Sequence, residues 1–441
     1  MKMHRKTHPL LRLLACALVL CLALGQGFAL AGEEEAVDYA SQLKLQLLSN
    51  TAKTEATVKT FVDGDTVHFH VPETVAENGV LKGRFLALDT PESTGRIEEY
   101  GKAASRFTKE KLSAATSIML ESDNALWNPD STGDRYLVWV WYKTADMTEY
   151  RNLNLEILQN GLAVASSTQQ NRYGDTCMAA LTQARKLKLN VFSGQPDPDF
   201  YYGSAVELTL KELRTNPEKY NGIKVAFNGV ITTNYNNTAY IEAYDAETGM
   251  YNGLSIYYGF GLNGSGLKIL TIGNECRIVG TMQYYETGGT WQVSGLSYRA
   301  MRPTDPDNIQ KLSEGHSPAY ALTSAETFAT GKVSVTMEDT VQEFDWAELA
   351  LGTSIAMNGL TVKDAYITDN EDSSSYGAFT LVCEADGHTV AVRTIPLRDA
   401  EGNLLTPDAY MGKTIDVKGI VDYFDGNYQI KVFTADSISV H

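Results

Sequence analysis

The chain has 441 residues, with 37 basic and 54 acidic side chains and a formal net charge of −17. Its length predicts two or three domains, each able to bury a hydrophobic core. Its acidic balance excludes a protein that coats nucleic acid through overall charge, since the phosphate backbone is itself a polyanion.

The first 31 residues have the pattern of a secretory signal peptide. Four basic residues precede the apolar run from Leu13 to Leu24, and Ala29-Leu30-Ala31 forms a small-x-small cleavage site. Cleavage would remove those four positive charges and leave a net charge of −21. No later apolar stretch reaches the roughly 20 residues of a transmembrane helix, so we expect a secreted, extracellular protein without a membrane span. Lipidation of Cys16 is the less favoured alternative.

Three cysteines follow the signal segment, namely Cys177, Cys276 and Cys383. Each falls in a different predicted domain, so none can form a disulfide within its own domain. We therefore predict buried free thiols and a fold that is stabilised by packing.

Residues 32–56 carry three glutamates near their start, at positions 33–35, and continue polar and helix-prone, and we interpret them as a spacer. From Thr57 the pattern changes to period-two alternation, which predicts strands around Val67, Phe69 and Val71. The other elements predicted up to Gly194 are a helix after Tyr100-Gly101, a hairpin turn at Asn128–Gly133 with a return strand at Leu137–Tyr142, a helix from Asn152 that ends at Gly161, and a helix over Asp175–Leu187 with Cys177, Leu181 and Ala184 facing the core.

Two proline-containing segments, 195–203 and 306–325, predict linkers around a first tail module (204–305) and a second tail module (326–441). The two modules share an internal repeat. The aligned pieces are Gly222–Val225 with Gly359–Val362, Gly273–Gly280 with Gly412–Gly419, and Trp291–Val293 with Tyr428–Ile430. With about five strands each, both modules are predicted to be OB-like β-barrels.

Two short stretches carry the candidate chemistry: Val58–Thr66 (VKTFVDGDT) and Arg84–Glu92 (RFLALDTPE). Asp65 and Asp89 each end an apolar stretch, which suggests that buried strands deliver both carboxylates to one rim of a sheet. Such hard oxygen ligands are those that calcium prefers. Pro91 turns the chain, so that Glu92 can point back to the same rim. The plain alternative for the DGDT segment is an Asp-Gly hairpin turn.

Residues 58–194 resemble the staphylococcal nuclease (thermonuclease) family. The match rests on six pieces in the same order: VDGDT with Asp65, RFLALDTPE with Arg84, Asp89, Thr90 and Glu92, EEYGKAASRFTKEKL, DRYLVWVWY with Arg135, NLEILQNGLAVA, and AALTQARKLKLNVFS. The resemblance implies a five-stranded OB-type barrel with three helices, so the whole chain is expected to be mainly β with some α.

The resemblance also implies a Ca²⁺ ion held by the carboxylates of Asp65 and Asp89 and by the main-chain carbonyl of Thr90. Waters and a substrate phosphate would complete the six to eight oxygens that calcium takes. Glu92 would orient or deprotonate the attacking water. The implied activity is an endonuclease that acts on DNA and/or RNA and leaves 3′-phosphate ends.

Two arginines complete the implied catalytic set. Arg84 and Arg135 would hold the phosphate from two sides, where planar guanidinium groups bind bidentately and offset the charge that builds in the transition state. For either arginine taken alone, the ordinary alternative is a solvated surface ion pair.

The chain departs from the family around the substrate. Gly133-Asp134 stands where many members have Tyr-Gly, and an acidic side chain beside Arg135 is expected to weaken phosphate binding. Ser167 and Gln169 replace tyrosines that help hold the nucleotide. We therefore expect the reaction class to persist and the affinity or substrate preference to differ.

The tail leaves several alternatives open. Its many tyrosines could form a stacking platform for single-stranded nucleic acid. The charge of the tail argues against this, because residues 201–441 carry 16 basic and 30 acidic side chains. Residues 57–194, by comparison, carry 15 basic and 17 acidic side chains. Binding of glycan or protein, attachment to the cell surface, and a purely structural role are the other interpretations. The main expectation is a monomeric secreted nuclease. The rival is a non-catalytic extracellular binding protein that keeps the barrel as a scaffold.

Overall fold

The structure is a computed structural model that describes residues 36–441 apart from 260, 287, 338–339, 371–372 and 374. Within these residues, three separate hydrophobic cores fill three closed five-stranded β-barrels. The predicted fold class, mainly β with a few helices, is confirmed. The predicted signal peptide lies outside the described residues, and none of the described helices is long and apolar enough to cross a membrane.

The N-terminal barrel is a single sheet that closes on itself. Its strands, including short flanking ones, are β1 (Lys53–Phe61), β2 (Thr66–His70), β3 (Val80–Phe85), β4 (Leu88–Asp89), β5 (Ser117–Glu121), β6 (Tyr136–Lys143), β7 (Arg151–Asn152) and β8 (Val164–Ala165). The barrel strands follow the order β3-β2-β1-β5-β6, and a parallel pairing of β3 with β6 closes the ring. The β4–β8 pair forms a separate two-stranded ladder beside it.

Helices pack against this barrel and share its core. They are α1 (Tyr39–Gln42), α2 (Gly101–Ser113), α3 (Leu153–Gln159) and α4 (Gly174–Lys186). The Asn152 side chain caps α3 by accepting the Leu155 N–H at 2.9 Å, as its position before an apolar run predicts. The Cys177, Leu181 and Ala184 side chains of α4 are fully buried, which confirms the predicted core face.

The described part of the predicted spacer is not a spacer, because it packs on the N-terminal barrel. Ala40 in α1 is fully buried, and Asp38 forms an ion pair with Arg151 at 2.9 Å. Strand β1 begins at Lys53, opposite Glu121 of β5. The acidic, polar composition concealed these contacts, since they depend on partners about 70 to 115 positions away.

Both tail modules are barrels of the same topology. The first contains β9 (Val206–Glu207), β10 (Lys224–Tyr235), β11 (Thr238–Asp245), β12 (Met250–Tyr257), β13 (Glu275–Tyr285), β14 (Thr290–Ser294), β15 (Gln310–Ser313), α5 (Leu210–Thr215) and α6 (Gly264–Ile269). The second contains β16 (Ala321–Leu322), β17 (Lys332–Met337), β18 (Thr340–Asp345), β19 (Ser354–Ile367), β20 (Phe379–Ala385), β21 (His388–Thr394), β22 (Thr414–Phe424), β23 (Asn427–Val432), β24 (Ile438–Val440), α7 (Ala325–Thr330) and α8 (Trp346–Leu349). Pairing of β10 with β13 and of β19 with β22 closes the two rings.

Strand register confirms two of the three repeat alignments and corrects the other. Gly280 lies opposite Val225, and Gly419 lies opposite Ile355, so these two glycines are equivalent as predicted. The Trp291–Val293 and Tyr428–Ile430 segments also occupy the same position against the preceding strand.

The alignment of Gly222 with Gly359 was wrong by seven residues. Gly222 donates its N–H to the carbonyl of Met282 at 2.7 Å, and Gly352 donates to the equivalent carbonyl of Val421 at 2.8 Å. Gly352 is therefore the counterpart of Gly222. A second glycine along the same strand misled the alignment, because the short Gly-x-x-Val pattern recurs there.

The predicted linkers lie against the barrels. Asp197 is buried and accepts the Tyr100 N–H at 2.6 Å, and β15 extends the first tail module beyond its predicted end. The two tail modules also contact each other. The buried Glu242 carboxylate accepts the Ser354 N–H at 2.7 Å, and the Met250 side chain is part of the core of the second tail module.

Candidate functional site

The first predicted aspartate lies in a tight turn between β1 and β2. The N–H groups of Val62 and Asp63 both donate to the carbonyl of Thr66, at 3.1 and 3.2 Å. Asp65 therefore directly precedes β2 instead of ending a strand as predicted. Its carbonyl accepts the Phe85 N–H at 2.8 Å, which fixes the turn against the end of β3.

Arg84 connects the two predicted metal ligands. Its Nη1 donates to Asp65 Oδ1 and its Nη2 donates to Asp89 Oδ1, so one guanidinium group lies between the two carboxylates. Asp65 is fully buried, whereas more than half of the Asp89 side chain is exposed. The structure thus places both carboxylates on one rim, as expected, with one side open to solvent. The direct pairing with Arg84 was not part of the prediction.

The environment of Asp65 is strongly polar and enclosed. Its Oδ2 accepts the Thr90 N–H at 2.9 Å, and its Oδ1 accepts the Thr66 hydroxyl at 3.0 Å. Burial, together with the nearby Asp63 carboxylate, raises the pKa of Asp65, while Arg84 and the Thr90 N–H oppose that change. A further positive charge close to Asp65 would stabilise its ionised form.

Glu92 lies on the loop that leads from β4 into α2. The Glu98 N–H donates to the Glu92 carbonyl at 2.9 Å, and the Glu92 N–H donates to Glu98 Oε2 at 3.3 Å. Partial desolvation raises the pKa of the Glu92 carboxyl, and the charge of Asp63 adds to this, whereas Arg84 opposes it. Glu92 therefore lies within electrostatic range of Asp63 and Arg84.

The same loop is held by the start of α2. Gly101 packs directly on the carbonyl of Glu92, and there is no room between them for a side chain. Gly64, in the turn before Asp65, is enclosed by Ala104 of the same helix and by Thr90. The Thr108 hydroxyl also donates to the Gly64 carbonyl at 2.6 Å. Helix α2 thus fixes the turn of Asp65 and the loop of Glu92 together.

Arg135 directly precedes β6, the strand that pairs with β3. Its Nε and Nη2 both contact Asp130 Oδ2 at 2.7 Å. The neighbouring Asp134 instead pairs with Lys82, at 2.8 and 3.0 Å. The acidic partner of Arg135 is therefore Asp130, which sequence reasoning missed. Its Asp-x-x-Gly turn was visible, but nothing in it pointed to Arg135.

The two residues that depart from the family pattern after the third helix, Ser167 and Gln169, lie near the strand that carries Asp89. Ser167 and Gln169 are exposed on the turn that follows β8, and β8 pairs with the strand that carries Asp89. Between them, Thr168 is buried and donates its hydroxyl to the carbonyl of Ala87 at 2.6 Å. The turn is thus fixed next to the site, and neither exposed side chain is aromatic.

The residues at the rim fit a calcium ion by chemistry, because all their candidate donors are hard oxygens. In the part of the chain that the structure describes, no group of three or more His, Cys, Asp and Glu side chains is arranged to hold a metal. The available set is two carboxylates and the carbonyl of Thr90. The Arg84 guanidinium contacts the carboxylate oxygens that a calcium ion would also use.

The N-terminal part of the chain is similar in sequence to known proteins. Residues 82–194 match the model of the family described as "Staphylococcal nuclease homologue". The chain is also 30% identical over 140 residues to a protein named "Thermonuclease" from Staphylococcus intermedius, covering 31% of this chain and 74% of that relative. The chain belongs to the staphylococcal nuclease family.

Membership of the staphylococcal nuclease family supports a nuclease, and hence a hydrolase, as the general class of this protein. The family match includes Arg84, Asp89, Glu92 and Arg135, whereas Asp65 precedes its first residue. The structure connects Asp65 to the matched region through Arg84 and Thr90.

Proposed function

We propose that this protein is a secreted, calcium-dependent endonuclease that hydrolyses phosphodiester bonds of DNA and/or RNA. The observation that carries the proposal is the bridge from Asp65 through Arg84 to Asp89, with Glu92 within electrostatic range. Such a reaction requires two carboxylates for the metal, a guanidinium group for the phosphate and a carboxylate of raised pKa as the base, all on one rim.

Asp65, Asp89 and the Thr90 carbonyl would hold the calcium ion. When bound, the ion would polarise the phosphate and offset its charge. Calcium would take carboxylate oxygens that Arg84 now contacts, so the guanidinium would be free to turn to the substrate phosphate. Arg135, which is one-third exposed, would reach the phosphate from the neighbouring strand by exchanging its contact with Asp130.

Glu92 would remove a proton from the attacking water as the new bond from water oxygen to phosphorus forms. The bond from phosphorus to the 5′-oxygen would break, and that oxygen would take a proton from solvent. The products would be a 3′-phosphate and a 5′-hydroxyl. The side chain of Glu92 is solvent-exposed, so a water molecule can reach it.

The signal-peptide pattern supports secretion, since it predicts export of the mature chain. A direct check is mass spectrometry of the protein from culture medium. The expected N-terminus is Gly32, and full-length protein retained in the cell would contradict this assignment.

The activity is tested by incubating the purified mature chain with denatured DNA and with RNA, in calcium and then in excess chelator. We expect cleavage with calcium and its loss with chelator, and undiminished cleavage in chelator would refute the metal mechanism. Analysis of the fragment ends distinguishes 3′-phosphate from 3′-hydroxyl products. The relative rates on the two substrates give the preference.

Two substitutions test the residue assignments. Glu92→Gln should lower kcat by about 10²- to 10⁴-fold, because it removes the general base but keeps the shape of the side chain. Arg84→Ala should lower kcat by about 10²- to 10³-fold. Glu149→Gln and Arg185→Ala, both exposed and outside the proposed catalytic set, are the matched controls. Wild-type rates in both test variants would show that the site is elsewhere.

The alternative is a non-catalytic binding protein in which the tail modules bind the ligand. One observation favours it: both tail modules carry an aromatic pair at equivalent positions. The rings of Tyr284 and Trp291 are 5.1 Å apart, as are those of Tyr423 and Tyr428. If the mature chain retained oligonucleotides for hours with calcium and left them uncut, this alternative would be correct.

A further inference from the structure

The loop that follows Glu92, residues 93–100, is held at its middle by the first tail module. The carbonyl of Gly95 accepts the side-chain amide of Gln283 at 3.0 Å and the hydroxyl of Ser294 at 2.8 Å. These donors lie 188 and 199 positions further along the chain. A carbonyl oxygen has two lone pairs, so the two donors satisfy it fully.

Both donors belong to the barrel wall of the first tail module. Gln283 lies on β13 and Ser294 on β14, two strands that pair with each other. Ser294 is fully buried and Gln283 is 7% exposed. Buried polar groups without partners are costly, so the barrel surface here is shaped to receive a hydrogen-bond acceptor. In this structure the acceptor is Gly95.

The surrounding contacts show that the two surfaces fit closely. Gly295, with a φ of +69°, lies so near the loop that an added Cβ would be 3.3 Å from the Gly95 oxygen and 3.5 Å from the Cα of Arg96. At the edge of this contact, Lys109 of α2 forms an ion pair with Glu286 at 2.8 Å. The first tail module therefore touches both the loop and the helix that support the site.

The loop transmits this contact to Glu92. Glu98 bonds both the carbonyl and the N–H of Glu92, and Gly101 packs on the same carbonyl. The two ends of the loop are thus held to each other and to the start of α2, and its middle is fixed by the tail. Loss of the tail contact would leave a segment of several residues without an anchor next to the catalytic carboxylate.

We propose that the first tail module is a positioning element of the nuclease site, in which Ser294 and Gln283 fix the 93–100 loop and thereby the Glu92 carboxylate. The inference rests on the proposed function, because it assumes that Glu92 is the general base. The proposed role of the tail is to position Glu92, and this role does not require the tail to bind a ligand.

The test compares full-length mature chains that carry Ser294→Ala with Gln283→Ala, and Ser294→Ala alone. The double variant should lower kcat on the order of tenfold, which corresponds to the loss of one to two net hydrogen bonds. KM should change less than about twofold, since neither residue is placed at the substrate. The single variant should lower kcat by about threefold, and it preserves a small side chain that the barrel can accommodate.

A second measurement separates positioning from general destabilisation. The acid side of the pH–rate profile reports the ionisation of Glu92, and a displaced Glu92 should shift it in the double variant. Ser297→Ala is the matched control, because the Ser297 hydroxyl lies in the same module and donates to the Asp307 carbonyl at 3.1 Å instead of to the loop. It should leave both kcat and the profile unchanged.

The outcomes are distinguishable. If the wild-type chain does not cleave, or if Glu92→Gln cleaves as fast as wild type, the proposed function fails. If those two behave as expected but the double variant keeps the wild-type kcat and pH profile, the positioning role is refuted. A kcat loss of equal size in Ser297→Ala would also refute it, because the effect would then be unspecific.

Discussion

Substitution of Gly101 by alanine should displace the Glu92 loop. An ideal Cβ on Gly101 would lie 2.6 Å from the carbonyl carbon of Glu92 and 3.0 Å from the carbonyl oxygen of Pro91. Ordinary van der Waals contact begins at 3.4 Å. The helix start and the loop must therefore separate by roughly 1 Å, and both contacting groups are backbone atoms that cannot rotate away.

Two effects on stability oppose each other. Alanine in place of glycine in a helix normally stabilises by about 0.5–1 kcal/mol. Forcing a methyl group into a closed contact costs about 1–3 kcal/mol. We expect a net loss of about 1 kcal/mol in the free energy of unfolding, which leaves the protein folded. The effect on kcat should be much larger, about 10²-fold, because a 1 Å displacement of a catalytic group has that order of consequence.

The assay measures kcat on denatured DNA with calcium, together with urea unfolding of the same preparation. Gly261→Ala is the matched control, since its Cβ would meet its nearest neighbour, the Tyr258 carbonyl, at 4.0 Å. If Gly101→Ala kept the wild-type kcat, the position of the Glu92 backbone would not control the reaction. A loss of stability large enough to unfold the protein would show that the contact is mainly structural.

Three other predictions concern charge. Desolvation and Asp63 raise the pKa of Glu92, so the rate should fall on acidification with an apparent pKa above the ordinary 4.5. Glu92→Gln should abolish this fall in rate at low pH. If the fall persists in the variant, it belongs to another group. Burial also raises the pKa of Glu242, so the folded state binds the proton of this carboxyl more tightly than the unfolded chain does. The resulting stabilisation is fully present below the pKa of Glu242 in the unfolded chain. It is lost as the pH rises through the pKa of Glu242 in the folded state. The thermal midpoint of Glu242→Gln relative to wild type should therefore increase from pH 4 to pH 7, and a constant difference would contradict the direction of the shift. Asp134→Asn should change KM less than about twofold, because Asp134 is exposed and pairs with Lys82; a severalfold lower KM would restore the view that Asp134 weakens phosphate binding.

Local patterns predicted much of the N-terminal barrel. Asn152 and Gly161 bracket α3 by well-understood capping preferences, and the alternation around Phe69 placed its inward and outward faces correctly. Asp65, Asp89 and Arg84 could be named as candidate site residues because they lie in two short segments of the sequence. Thr90 and Glu92 follow in the same run, so a few neighbouring residues contain most of the candidate site.

The remaining features depend on partners that are distant in sequence. Three such contacts exist only in the folded chain: the ion pair of Arg151 with Asp38, the ion pair of Arg135 with Asp130, and the hydrogen bond from Ser294 to Gly95. A single sequence contains no periodic signal for such contacts. The shifted repeat alignment has a similar cause, because register is set by pairing across strands and a short glycine pattern does not specify it.

The contact between Glu242 and Ser354 gives the pair of tail barrels a direction, because the two barrels contribute different surfaces to it. Register makes Glu384 the counterpart of Glu242, since Val230 lies opposite Glu242 and Thr361 lies opposite Glu384. Glu384 is exposed and pairs with Lys363 at 3.7 Å. One copy thus offers an acceptor surface and the next offers a donor surface, so the duplicated barrels are joined head to tail and not by a two-fold axis. A junction of this kind is heterologous, and successive copies joined by it would form a directional row, in the manner of repeat proteins.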